Sequence, residues 1–194
     1  MEIRFRLYGC VLIMIICHYE ETCPSVVLTK VETSYNINVL HGMLSNIKVT
    51  LLQGWKDVSK DNPDGPPTFL RESSKCPGSL QVSHAEHKAG AIPNPSEKDL
   101  VKMSREFGSG TDTNLGEVVE SYGGNCTFGK FGTTVYRSKE FPRSQVWYLS
   151  NGRDFIFVTH ICPEEPDMQE LVETEQIVYM LTLGPPRKPR WKFW

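Results

Sequence analysis

His160 and Cys162 are the residues in this chain whose types and spacing come closest to a catalytic pair. They stand two apart in a run of β-branched and aromatic residues, so on a strand both side chains share one face. An imidazole beside a thiol can draw off its proton and leave a thiolate, the form that attacks a substrate and binds a soft metal. Pro163 follows at once and places Cys162 at the strand end. Set against this, free cysteine is among the residue types most often buried, and positions i and i+2 of a strand are far apart for direct proton transfer.

His84 and His87 are the next candidates. Alternation along a strand puts them on opposite faces unless the strand ends near Glu86, so they are not a ready-made ligand pair. With His160 and Cys162 they would supply four donors for a tetrahedral zinc ion, but no spacing in the sequence demands it. The glycine-rich segment Gly123 to Gly129 (GGNCTFG) is followed neither by a helix nor by Lys-Ser/Thr, so it is no phosphate cradle. Asn125-Cys126-Thr127 fits a glycosylation sequon, relevant only to a secreted eukaryotic protein. No nucleophile elbow and no His-Glu-x-x-His motif occurs. Catalytic, cofactor-binding and metal residues are accordingly assigned as none, and no cofactor is expected.

Composition narrows the function class further. Four of the 21 basic residues fall in the last eleven positions, leaving 17 against 23 acidic ones, a body charge of −6. Nucleic-acid surfaces need clustered Lys and Arg to displace counterions, and this body has the opposite sign. The tail, 185–194, mixes Arg187, Lys188, Arg190 and Lys192 with Trp191, Phe193 and Trp194. Such mixtures dock on anionic membranes or stack on single strands, but a terminus of this length reads more simply as an unstructured end.

The elements that must position these residues centre on the hairpin 145–162, QVWYLSNGRDFIFVTHIC. Asn151-Gly152 suits a two-residue type I′ turn closed between Ser150 and Arg153. That turn pairs Leu149 with Asp154, Tyr148 with Phe155, Trp147 with Ile156 and Val146 with Phe157. Apolar residues on both faces predict a sheet covered on both sides, with Trp147 buried. Upstream, 46–52 alternates as a half-buried strand, 57–67 is dense in turn formers, and 67–71 and 79–86 read as strands. A helix over about 94–107 follows, with Asn94 as cap and Pro95 in the first turn. Strands at 118–122 and 126–137 flank Gly123-Gly124. A second helix covers about 167–183, with Leu171, Thr174, Val178 and Leu181 inward and Glu170, Glu173 and Glu175 largely outward. The fold class is therefore α+β, a mostly antiparallel sheet with a central hairpin packed by two helices.

Residues 43–184 form a single, monomeric domain in this reading. Residues 1–42 are a poorly ordered or leader segment. Arg4 and Arg6 precede an apolar run from Leu7 to Cys17, too short to span a bilayer and without a small-x-small cleavage site. Cys76, Cys126 and Cys162 leave an odd count in the domain, which favours reduced thiols and a cytoplasmic location, with secretion through a leader at 1–23 as the alternative.

The element order, opening on a strand that ends in Leu52-Gln53-Gly54-Trp55-Lys56-Asp57, resembles the PsbP/Mog-like α/β/α sandwich, a fold that includes the DcrB-type proteins. The resemblance covers roughly 43–184. It implies a small non-catalytic module that binds a protein partner: photosystem subunits, a Ran-type GTPase or secreted effectors in different branches. No binding residue carries over, since Gly54-Trp55 is the one matching motif and reads as structural. The function expected is thus a protein-binding module with no nucleic acid and no transmembrane segment. The alternative is a Cys/His-dependent or metal-dependent enzyme built on His160 and Cys162.

Overall fold

The computed structural model describes residues 33–36, 47–87, 89–110 and 113–184. The chain runs β1 (Thr33–Asn36), β2 (Ile47–Leu51), β3 (Trp55–Asp57), a single 3-10 turn at Ser59–Asp61, β4 (Thr68–Arg71) and β5 (Ser79–Ala85). It continues with α1 (Glu97–Gly108), β6 (Glu117–Cys126), β7 (Gly129–Arg137), β8 (Arg143–Ser150), β9 (Phe155–Cys162), α2 (Met168–Tyr179) and β10 (Thr182–Leu183). Seven strands form one antiparallel sheet in the order β3-β4-β5-β9-β8-β7-β6, and β1-β2-β10 form a smaller one. The expected α+β class holds, with a mostly antiparallel sheet and two helices.

Two apolar layers sandwich the large sheet. On one face α1 sets Leu100 against Tyr136, Val146, Tyr148 and Phe155. On the other, Ile177, Val178 and Leu181 of the second helix region join Ile47, Val49 and Leu51 of the small sheet over Trp147, Leu149, Ile156 and Val158. Trp147 is fully buried, as its place in the hairpin requires. The first helix crosses the sheet where Gly123 faces Gly132. A Cβ on Gly132 would lie 2.1 Å from the Val101 backbone nitrogen, so glycine is what lets the helix come this close.

Four local expectations change. The β8–β9 register pairs Leu149 with Ile156, Tyr148 with Phe157 and Trp147 with Val158, across a four-residue loop rather than a two-residue turn. Asn151 is the reason: its Oδ1 accepts from the backbone N–H of Arg153 and of Asp154, at 2.9 and 2.7 Å, and only Gly152 takes a positive φ. The first helix is capped by Ser96, not Asn94. Ser96 Oγ accepts from the Asp99 N–H while Asp99 Oδ2 accepts from the Ser96 N–H, a capping box. Gly123-Gly124 does not separate two strands but lies inside β6, and the turn falls at Thr127-Phe128. Finally, the second helix stops at Tyr179, and Thr182–Leu183 leaves as β10 to pair with β2.

Among the described residues no helix is long and apolar enough to cross a membrane. The apolar run 7–17 and the tail 185–194 lie outside the described residues.

Candidate functional site

The polar chemistry of the chain gathers beneath the first two turns of α2. Asp167 caps this helix, its Oδ1 accepting the Glu170 N–H at 2.7 Å. That cap sets the phase in which Glu170 and Glu173 turn toward the sheet. Residue type predicts both to point largely outward. Glu170 is instead fully buried and Glu173 nearly so. The acids are tolerated because each meets its donors. Glu170 Oε1 accepts from the Gly78 N–H at 2.6 Å and contacts His160 Nε2 at 3.1 Å, and its Oε2 accepts from Ser74 Oγ at 2.6 Å. Glu173 Oε2 accepts from Arg71 Nε at 2.8 Å and from the Trp55 indole N–H at 2.9 Å. Arg71 also reaches Asp167 Oδ2 at 3.0 Å. One network thus ties β3, β4, the 72–78 loop and β9 to α2.

Cys162 closes the group. Its Sγ lies 3.6 Å from His160 Nδ1 and 3.8 Å from Nε2. His160 and Cys162 do share a face, as alternation requires, and that face points at Glu170. His160, Cys162 and Glu170 are each 1% exposed or less. Gly78 packs directly on them: a Cβ there would lie 2.2 Å from His160 Nε2 and 2.7 Å from Cys162 Sγ. The loop can supply its N–H to Glu170 only because this position carries no side chain.

Electrostatics assigns the protons. Burial pushes the Glu170 carboxyl up, but the hydrogen bonds from His160, Ser74 and Gly78 outweigh it and hold the group below the usual glutamate range. Burial, followed by the charge of Glu170, pushes the Cys162 thiol well above its ordinary value. Glu170 is therefore an anion and Cys162 a neutral thiol. The sulfur also sits almost equidistant from the two ring nitrogens, so it is aligned with neither lone pair. A carboxylate, an imidazole and a thiol in contact have the composition of a nucleophilic triad, but a protonated and buried sulfur does not attack a substrate.

The polar seam continues toward β6. Tyr122 Oη donates to Glu175 Oε1 at 2.5 Å, and Gln145 Nε2 reaches Thr133 Oγ1 at 3.3 Å. Burial and then Glu175 push the Tyr122 hydroxyl far up, so it stays a donor. The remaining candidates do not converge. His84 pairs across from Ile156 while His160 pairs across from Leu80, four residues away along β5. His87 lies past the end of β5, its N–H bonded to Asp154 Oδ1. The sequon residues Asn125 and Cys126 end β6. Sequence reasoning missed Glu170, although its spacing of four and seven residues from Thr174 and Ile177 places it on the buried stripe.

A mostly antiparallel sheet with a helix on one face and a helix plus a small sheet on the other is an α/β/α sandwich. The fold is PsbP-like. The chain is similar to the solution structure of cyanobacterial PsbP (CyanoP) from Synechocystis sp. PCC 6803, with a TM-score of 0.52 and 14% identity over 84% of this chain and 98% of that one. A crystal structure from Bacteroides thetaiotaomicron matches with a TM-score of 0.43 and 12% identity, over 73% of this chain and 46% of that one. No protein-family model and no curated protein matches.

Proposed function

We propose that this chain is a non-catalytic module that binds a protein partner by adding a strand to the outer edge of β6. The observation that carries the reading is the state of that edge. Strand order ends at β6, so one row of its backbone N–H and C=O groups has no neighbour among the described residues. The strand is ten residues long, and near its start Val118 and Val119 are 42% and 54% exposed between Glu117 and Glu120. An irregularity between Val118 and Glu120 turns both valines outward. Long edges with exposed apolar side chains are templates for strand addition. The flanking acids favour a basic partner strand.

The folding unit in this reading is 43–184, with β1 as an added edge strand of the small sheet. Cys126 and Cys162 are thiols and not half-cystines, which supports a reducing, cytoplasmic setting. The test is a photo-crosslinking residue at position 119, with position 172 on the outer face of α2 as control. The expected result is a discrete product from 119 alone that disappears when Val118→Lys is added. Equal products from both positions, or none from 119 in a folded protein, would overturn the reading. The enzymatic alternative is tested separately by alkylation: a thiol at Cys162 that reacts in the native state at an activated rate would favour it.

A further inference from the structure

We propose that His160, Cys162 and Glu170 form a binding site for a divalent cation of the zinc class, seated between β9 and the first turn of α2. This goes beyond the partner-binding reading and does not depend on it. Among the described residues these are the side chains whose His, Cys and carboxylate ligand atoms all lie within 4.8 Å of one another. Zinc bonds of about 2.3 Å to sulfur and about 2.0–2.2 Å to nitrogen and oxygen put tetrahedral ligands roughly 3.3–3.6 Å apart. The gaps found are 3.1 Å for His160 Nε2 to Glu170 Oε1 and 3.8 Å for Nε2 to Cys162 Sγ. An ion placed on Nε2 and Oε1 requires the sulfur to swing from the mid-ring position toward the Nε2 side.

The donor set selects the ion. One thiolate, one imidazole and one carboxylate suit zinc and its neighbours, whereas calcium and magnesium need several more oxygens. Binding releases the Cys162 thiol proton and shifts the His160 ring proton from Nε2, where it serves Glu170, to Nδ1, freeing Nε2 as ligand. Two anionic ligands then balance the charge of the ion, and the buried site becomes neutral. Supporting contacts are already in place: the Gly78 N–H and the Ser74 hydroxyl hold the Glu170 carboxylate in its present orientation. Three protein ligands leave a tetrahedral ion one further position. A site this buried loads as the chain folds.

Cobalt(II) is the probe. The full chain with Cys10→Ser, Cys17→Ser and Cys23→Ser, which removes the thiols ahead of the domain, is refolded with one equivalent of cobalt under reducing conditions. The expected spectrum has a near-ultraviolet thiolate-to-cobalt band and intense visible bands of a tetrahedral ion, both bleached by zinc. Cys162→Ser should lose the ultraviolet band, and Glu170→Gln should keep it but bind at least tenfold more weakly. No thiolate band in the triple variant, or an unchanged band in Cys162→Ser, would overturn the proposal. Should Cys162→Ser fail to fold, X-ray absorption on the zinc-loaded triple variant decides: mixed sulfur and nitrogen/oxygen ligation supports the site, and ligation by sulfur alone or by nitrogen/oxygen alone overturns it.

Discussion

Removing Glu170 tests the central claim that the buried carboxylate holds the second helix to the sheet. Glu170→Ala leaves three donors without an acceptor: the Gly78 N–H, the Ser74 hydroxyl and His160 Nε2, now at 2.6, 2.6 and 3.1 Å. Each hydrogen bond to a buried charge is worth about 1.5–3 kcal/mol, but the three are not additive because the loop relaxes once the acid is gone. Leaving buried donors unsatisfied costs about 1–3 kcal/mol each, so with relaxation of the loop a loss of about 3–5 kcal/mol is expected here. A domain of this size has about 5–15 kcal/mol of total stability, so the variant should still fold. Urea unfolding followed by tryptophan fluorescence, with a chelator present to exclude any bound metal, gives the number. The pH arm sharpens it. The folded-state carboxyl titrates below its unfolded value, so its contribution is complete above that unfolded value and is lost as pH falls through the folded one. Glu170→Gln should therefore cost less at pH 7 and lack this part of the acid slope. A loss under about 1 kcal/mol in Glu170→Ala, or an acid slope in Glu170→Gln equal to the parent's, would refute the reasoning.

Three further outcomes are expected. Trp147→Ala should cost about 3–5 kcal/mol by urea melts, since it empties a fully buried indole site at the centre of the sheet. Trp147→Phe should lose much less, because the indole N–H that it removes has no acceptor among the described residues. Gly132→Ala should cost about 1–3 kcal/mol through overpacking, since the added methyl meets the α1 backbone, and amide exchange should rise along α1 before other elements. A chain starting at Met43 should fold without added oxidant and show an unchanged melting midpoint with and without reductant. A fall of several degrees would place β1 and its ladder with β2 inside the folding unit.

The hairpin shows how much of the fold is legible in the sequence. The two-residue turn expected at Asn151-Gly152 is a four-residue loop, yet each residue of β8 faces a partner displaced by two positions, not one. A shift of two keeps every side chain on its own face, so Trp147 and His160 still point at α2 and Tyr148 still points away. Strand alternation is a property of the segment itself and survives an error in the turn. The exact register depends on how Asn151 spends its side-chain oxygen, and that choice is made by the neighbouring amides. The same holds at α1: the helix and its apolar stripe are plain, but Ser96 and Asn94 are equally good caps by type. Asn94 is removed from the role because its N–H bonds to Gly152 O and its φ is +35°.

The site was half legible for a related reason. Alternation alone puts His160 and Cys162 side by side, but nothing local to Glu170 distinguishes it from a solvated glutamate on an exposed helix face. Its burial follows from its partners, which lie 92 and 96 residues away at Gly78 and Ser74. The hydrophobic stripe of α2 in fact passes through Glu170, and residue type argued against what spacing argued for. Spacing won because two donors of the loop from Ser74 to Gly78, with His160 as the third, convert a costly buried charge into a satisfied acceptor. The same logic brings Glu173 inward under Arg71 and Trp55. The Gly54-Trp55 step, legible only as a local motif, thus places an indole N–H where the second acid of the helix needs one. Polar residues of the first two turns of α2 and of four distant segments specify one another, and that mutual dependence is what fixes where the helix lies on the sheet.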